Sequence, residues 1–472
     1  MRPICYTCPE RAIPARLRCA KGSGRLLTWE RPNFMPAVVV IGGQWGDEGK
    51  GRIVDLVAQG ASVVARYSAG NNAGHTVIND MGEFKLNLVP AGIFYRDKTC
   101  IVGNGVAIDP GPLLNEIETL ASRGVNVGNL FVSDRCHVVM PWHPLIDVAD
   151  ETMRGAAAIG TTGRGVGPCF TDKVARLGIR TGDLIDPEAF RARLDFILPY
   201  KNAVLEKLYG IAPLNIDDVF AKYTALGERL RPFVRDTAQI VHDALDRGET
   251  VLLEGAQGCL LDLDAGTYEY VTSSVPSSSA GGAGIGIGIG PTVIHQVVGI
   301  YKAYMTRVGN GPMPTELLDE TGKILQIEGP RPEIGVNTGR PRRTGWFDAV
   351  ASRYSAMVNG VTSGVLTRLD VLDNFPSIKI CTAYEAEDGT IITSMPASSV
   401  VLGKVRPVYE EVEGWRAPTS GCRSWDSLPP KARDYIRKIE SLLKTPIDIV
   451  SVGPERDQAI IVHDVLKVKP RS

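Results

Sequence analysis

The chain has 472 residues with 52 basic and 53 acidic side chains, a net charge of -1. No global field therefore draws it to nucleic acid or anionic lipid, and any polyanion site must be local. It lacks an apolar run of about 18 residues, and its mean hydropathy of -0.01 is that of a soluble globular protein, which excludes membrane spanning. The nine cysteines are scattered, as thiols are in a reducing cytosol. Cys5, Cys8 and Cys19 offer half a zinc site at most, because no second C-x-x-C or histidine pair follows.

Residues 1–34 carry six arginines and one lysine against Glu10 and Glu30, with no continuous apolar stretch. They read as a disordered extension, a transit segment or a start-site artefact, since Met35 opens a run that leads straight into a buried strand. Residues 35–472 read as a single large domain. Apolar runs of strand length follow at 37–43, 61–68, 98–105, 130–140, 250–258, 364–370, 377–384, 448–453 and 459–465. Most are continuously apolar, which suits strands covered on both faces of a parallel sheet. Amphipathic helices lie between them: Leu113, Leu114, Ile117 and Leu120 share one face, and Tyr435, Ile436, Ile439 and Leu443 another. Asp186-Pro187 is an N-cap followed by proline at the first helical position, opening a stretch at about 187–247 that reads as helical throughout. The fold class is α/β, a large, mostly parallel doubly wound sheet with flanking helices and a helical insertion. Residues 277–291, SSSAGGAGIGIGIGP, read as either a flexible connector or a glycine-lined wall against a ligand.

Six loops carry polar chemistry. GGQWGDEGKG (42–51) lies between a strand and a helix and resembles a Walker A loop, but has Gln44 in place of its first glycine and Gly51 in place of its hydroxyl residue. Its N–H groups make an anion site with Lys50 as a point charge. Asp47 and Glu48 inside that turn cost electrostatic energy unless a metal or a proton transfer requires them. AGNNAGHT (69–76) follows the second strand and holds His75. AIGTTGRGVGPCFTDKVAR (158–176) ends in Lys173 and Arg176, and EGAQG (254–258) presents Gln257. VNTGRPRRTGW (336–346) sets Arg340, Arg342 and Arg343 on a stiff loop suited to clamping a dianion. LTRLD (366–370) ends an apolar strand in Asp370, which can accept hydrogen bonds from guanine N1 and N2.

In this order, QWGDEGKG, NAGHT, IGTTGRGVGP, DKVAR, EGAQG, MTRVG, TGRPRRTGW and TRLDVLD resemble the adenylosuccinate synthetase family from residue 37 to about 463. The resemblance implies a P-loop-GTPase-related fold and a ligase that forms a C–N bond, joining IMP to L-aspartate with GTP in AMP biosynthesis. The substrates it implies are GTP, IMP and L-aspartate, the cofactor is Mg²⁺, and the assembly is a cytoplasmic homodimer without nucleic acid or membrane partners. It casts Asp47 as the base that takes the IMP N1 proton and as a metal ligand together with Gly74, and His75 as the acid of phosphoryl transfer. Lys50 and Gln257 complete the catalytic set.

For GTP the resemblance points to Gly46, Asp47, Glu48, Gly49, Lys50, Gly51 and Arg52, to Gly74, His75 and Thr76, and to Arg342. The guanine-binding part, about 364–472, adds Arg368, Leu369 and Asp370 with Ser451, Val452 and Gly453. For IMP it points to Asp47, Lys50, Asn72, Ala73, Gly74 and His75, then to Thr162, Gln257, Thr272 and Arg340, with Arg176 reaching in from the partner subunit. The arginine-rich loop, about 336–346, implies aspartate binding by Val336, Asn337, Thr338, Gly339, Arg340 and Arg342. Arg368 stands where many members have lysine, and so does Arg52; both keep the charge and change its shape. A GTP-binding switch and a small-molecule kinase are the rival readings of the phosphate loop. Neither needs three arginines in one loop or a carboxylate among phosphate-binding amides.

Overall fold

Continuously apolar strands demand cover on both sides, and the first strand shows it residue by residue. Val38 and Val40 pack with Ile53, Val54 and Leu113 on one face, whereas Ala37, Val39 and Ile41 pack with Val241, Ala244 and Leu253 on the other. The computed structural model describes residues 37–275, 280–327, 332–335 and 339–467; Val336, Asn337 and Thr338 and the whole 1–34 segment lie outside them.

Ten described strands form one sheet: β1 (Ala37–Gly42), β2 (Val63–Arg66), β3 (Thr99–Val102), β4 (Leu130–Ser133), β5 (Val234–Arg235), β6 (Val251–Glu254), β7 (Ile294–Lys302), β8 (Ser363–Thr367), β9 (Ile447–Ser451) and β10 (Ala459–Ile461). Their spatial order is β5-β4-β3-β2-β6-β1-β7-β8-β9-β10. All neighbours run parallel except β9 and β10. This is the α/β architecture anticipated from the sequence.

The helices that matter for the site are α1 (Lys50–Ala58), α2 (Pro110–Ser122), α3 (Trp142–Arg154), α4 (Val166–Ala175), α5 (Pro187–Tyr209), α6 (Ile216–Leu230), α7 (Thr237–Asp246), α8 (Ala280–Ile287), α9 (Ala349–Asn359) and α10 (Pro430–Leu443). The anticipated faces of α2 and α10 are buried. Asp186 caps α5, accepting from the amides of Glu188 at 3.0 Å and Ala189 at 3.2 Å.

Four sequence expectations change. The 187–247 stretch is not helical throughout, because β5 pairs with β4 through Val234↔Val132; a two-residue strand carries no periodicity to read. The 377–384 run leaves the main sheet: Ser377–Glu385 pairs with Phe347–Asp348, Ile391–Ile392 and Arg406–Glu413 in a separate sheet. There Ile378 and Ile380 are buried while Lys379 is exposed, the alternation of a strand with one wet face. β7, beside β1, went unpredicted because His295, Gln296 and Gly299 interrupt its apolar run. The glycine-rich segment is neither a connector nor a ligand wall where it is described. It forms α8, and a Cβ on Gly286 would sit 2.2 Å from the Tyr67 carbonyl oxygen, so its glycine serves backbone-to-backbone packing.

Candidate active site

In an open parallel sheet the loops at the carboxyl ends of the strands share one edge, and ligands bind there. The loops after β2, β6, β1, β7, β8 and β9, six adjacent strands, converge on a cavity of about 1140 Å³. Trp45 to Arg52, Asn72 to Thr76, Ile159 to Thr162, Gln257, Thr272, Arg342, Arg368, Ser451 and Gly453 line it. The sheet thus gathers loops separated by some 400 residues of sequence into one cleft.

The phosphate loop is built around its own anion. Gly49, at φ 90°, ends the turn so that α1 starts at Lys50, and Asp47 adopts φ 60° without being glycine, a conformation that costs about 1–3 kcal/mol and clusters at functional sites. Glu48 is fully buried. Its Oε1 accepts from the amides of Gln44 at 3.0 Å and Gly46 at 2.8 Å, and its Oε2 lies 2.5 Å from Lys50 Nζ. The acid unexplained by the sequence therefore satisfies part of the amide cradle and aims the lysine. The carboxylate is thus committed within the loop, while Glu48 still lines the cavity. Asp47 points the other way, with Oδ2 2.6 Å from Arg342 Nε.

His75 begins the hairpin His75–Asn79/Gly82–Leu86 and packs on the phosphate loop so tightly that a Cβ on Gly51 would lie 2.6 Å from His75 Cβ. Its Nδ1 is 2.5 Å from Glu254 Oε1. Arg66 Nη2 is 2.5 Å from the same oxygen, and Arg66 and Glu254 are both fully buried. His75 Nε2 is buried without a hydrogen-bond partner. Burial, then Arg66, pushes the imidazole down to about 4, outweighing Glu254. Burial alone would raise Glu254, but Arg66 and His75 hold it down at about 2. The ring is thus neutral at neutral pH, with Nδ1–H donating to Glu254 and a lone pair on Nε2.

At the other end of the cleft, Arg52 donates to Ser451 Oγ and the Gly453 carbonyl and to the Glu455 carbonyl at 2.5 Å, tying α1 to the loop after β9. Asp370 Oδ1 is buried without a hydrogen-bond partner, the state of an acceptor that awaits a donor. Asp370, Leu369 and Val452 stand behind the cavity wall rather than in it, whereas Arg368, Ser451 and Gly453 line it. Gln257 has φ 58° and accepts from Ser274 Oγ at 3.0 Å. Arg340 is exposed, with Nη1 3.7 Å from where a Cβ of Gly160 would be. Arg176 is exposed at the C-cap of α4 with φ 65° and lines no part of this chain's cavity.

Several site residues escaped sequence reasoning. Glu254 and Arg66 end two apolar strands, and their register pairs them directly, Glu254↔Arg66; two opposite charges closing two buried strands were the available signal. Glu151 of α3 accepts from the amides of Ile159, Gly160 and Thr161 at 2.7–3.1 Å, holding the third glycine loop, and nothing in its helical setting marked it. Lys302, Tyr304 and Glu333 form a buried cluster behind the arginine loop, drawn from segments with no shared motif.

A family model described as adenylosuccinate synthetase matches residues 39–460. An adenylosuccinate synthetase of Heliobacterium modesticaldum is 53% identical over 426 residues, covering 90% of this chain and 99% of the relative. One of Dehalococcoides mccartyi is 51% identical over 426 residues, covering 90% and 100%. A solved structure of fully ligated adenylosuccinate synthetase from Plasmodium falciparum superposes with a TM-score of 0.84 at 35% identity, covering 90% of this chain and 99% of that one. A cyanophage S-2L succinoaminodeoxyadenylate synthetase is similar in fold, with a TM-score of 0.57 at 21% identity over 91% of this chain and 96% of that one.

Proposed function

The chain belongs to the adenylosuccinate synthetase family and joins IMP to L-aspartate with GTP as the energy source, and from that premise we propose how its cleft divides the work. Asp47 is the base, His75 the acid, and Lys50 with the loop amides holds the transferring phosphoryl group. The observation that carries this reading is the meeting, on one cavity wall, of a carboxylate in a left-handed turn of the phosphate loop and an imidazole with an unpartnered Nε2.

The chemistry asks for both groups. The 6-oxo group of a purine leaves poorly until it is phosphorylated, and O6 attacks phosphorus only as an oxyanion. Removal of the N1 proton by Asp47 supplies that oxyanion as phosphorus captures it. The γ-phosphoryl moves to O6 as its bond to the GDP oxygen breaks, and the amine of L-aspartate then displaces phosphate from C6. His75, neutral in the empty cleft, becomes an acid only when bound phosphate raises its affinity for a proton. Gln257, Asn72, Ala73, Thr162, Thr272 and Arg340 hold IMP; Arg340 also, with Arg342, Gly339 and the 336–338 segment, holds aspartate; Arg368, Asp370 and Ser451 to Gly453 hold guanine.

A divalent cation serves the reaction, and we assign it as Mg²⁺ with Asp47 and the Gly74 carbonyl as protein donors. Two hard oxygens suit an ion carried mainly by nucleotide phosphates and water, and among the described residues no three ligating side chains cluster to make a protein cage. When bound, it neutralises charge on the transferring phosphoryl group. We assign the assembly as a homodimer with Arg176 crossing to the neighbouring site. Val148, Met153, Val174 and Phe196 on α3, α4 and α5 are exposed, apolar side chains that a subunit contact would cover. No described helix is long and apolar enough to cross a membrane, and we place the enzyme in the cytoplasm. Residues 35–472 are taken as one catalytic domain preceded by a segment whose presence in the mature protein is read by N-terminal mass spectrometry.

One assay tests the division of labour: GDP release with IMP, with and without L-aspartate, alongside product absorbance. Dependence on both co-substrates supports it. GDP release without aspartate favours a switch, and a stable phosphorylated product a kinase.

A further inference from the structure

The arginine-rich loop hangs from a neck with a buried carboxylate in it. Ile334 and Pro341 bridge in antiparallel fashion, Gly335 N donates to Arg340 O at 2.9 Å, and Arg342 N donates to Glu333 O at 2.9 Å. Glu333, 1% exposed, stands one residue outside that bridge. Its carboxylate accepts from Arg342 Nη1 at 2.6 Å, from Lys302 Nζ at 3.0 and 3.1 Å and from the Tyr304 hydroxyl, and lies 3.6 Å from Arg368 Nη2. Arg342 completes the chain by donating Nε to Asp47 Oδ2 at 2.6 Å.

One carboxylate thus meets side chains from four separate segments. Arg342 belongs to the arginine hairpin, Lys302 to the end of β7, Tyr304 to the loop after it and Arg368 to the guanine side. A buried ion pair placed for stability alone gains little, because desolvation offsets its attraction. Three cations around one fully desolvated anion form an arrangement in which any shift of one cation changes the hold on the others. Lys302, Arg342 and Arg368 all line the cavity, so phosphate or guanine arriving there competes for the same charges.

We propose that Glu333 is a positioning residue that couples the nucleotide side of the cleft to the aspartate hairpin, by holding Arg342 at the hairpin neck while facing Arg368. Occupation of the GTP side redistributes Arg342 and Arg368 about Glu333, and the hairpin neck moves with Arg342. The proposal deepens the functional reading above and rests on the assignment of the hairpin to aspartate.

The test is steady-state kinetics of the full chain with each substrate varied, on Glu333→Gln, Glu333→Asp and Arg340→Ala. Glu333→Gln removes the anion and leaves one acceptor oxygen, with an NH2 donor facing cationic donors. It is expected to raise the aspartate KM about tenfold or more, with the IMP KM and kcat at saturating aspartate within about threefold of wild type. Glu333→Asp, which keeps the charge, is expected to recover at least part of that loss. If Glu333→Gln folds poorly, Lys302→Met combined with it removes one charge of each sign and is expected to show the same aspartate-selective defect. An aspartate KM within about twofold of wild type, or an equal rise in all three KM values with a fallen melting temperature, overturns the proposal, the latter being the mark of a merely structural residue. Arg340→Ala separates the two levels of inference. If it raises the aspartate KM and Glu333→Gln does not, only the coupling role fails; if neither does, the hairpin assignment fails.

Discussion

His75 carries two demands that oppose each other. Its pocket strips the ring of water and sets Arg66 and Lys50 nearby, so the neutral form wins and the pKa sits near 4; an acid at neutral pH needs the reverse. Bound triphosphate supplies the missing negative charge, so histidine NMR is expected to show His75 titrating well below 6 in the free protein and close to neutrality with IMP and a non-hydrolysable GTP analogue. A ring that titrates identically in both states removes it from the acid role. At Asp47, Asn preserves size and removes the proposed base. Asp47→Asn is expected to abolish formation of 6-phosphoryl-IMP while the Kd for GTP changes by less than about tenfold, because the remaining loop amides still hold phosphate; near-normal turnover would assign the proton to another group.

At the scale of elements, α8 shows how composition misleads. Glycine repeats suggest flexibility, yet Gly105 N donates to Gly286 O at 3.0 Å and Gly286 rests on the Tyr67 carbonyl, so the helix docks backbone to backbone behind the loop after β2. Gly286→Ala forces the Cβ into that carbonyl and is expected to destabilise the protein by about 1–3 kcal/mol in denaturant unfolding, with the KM values for all three substrates little changed because none of the described α8 side chains, Gly286 among them, lines the cavity. A variant as stable as wild type would mean that the helix yields where the packing says it cannot.

For the whole molecule, buried ionisable groups set the acid limit. His75 and His137 both sit near 4, each lowered first by burial. Their unfolded counterparts bind protons from about 6.5 downward, so this contribution is full above 6.5 and lost as pH falls to about 4. Glu254 and Glu333, held near 2, add a second loss from the usual carboxylate range, about 4.5, down to 2. Asp348, raised to about 6 by burial, opposes part of the histidine loss between about pH 6 and 4, so the denaturant midpoint is expected to stay level between about pH 6.5 and 8 and to fall most steeply below about 4.5, where the Glu254 and Glu333 loss adds; a midpoint as high at pH 3 as at pH 7 contradicts it. The proposed homodimer has a sharper test. If Arg176 serves the neighbouring site, a mixture of Arg176→Ala and Asp47→Asn chains restores one intact site per mixed dimer, roughly a quarter of wild-type activity. No recovery on mixing places Arg176 in its own site or in none.

What the sequence determined by itself is local and periodic. Unbroken apolar runs required a sheet covered on both faces, Asp186-Pro187 marked where α5 begins, and the glycine turns that follow β1, β2 and β6 stood where a parallel sheet puts its ligand edge. The family resemblance was equally legible, since GGQWGDEGKG and NAGHT keep their order whatever the packing. Tertiary structure decided everything that depends on partners distant in the chain. Only the register of β2 against β6 sets Arg66 beside Glu254 and so fixes the charge of His75. The turn itself aims Asp47 toward Arg342 and buries Glu48 among the loop's own amides, although both are acids one residue apart. Glu333 has no motif at all, because its role comes from three cations brought to it by β7, β8 and the hairpin neck. Periodicity is a property of neighbours along the chain, whereas a buried charge is defined by neighbours in space.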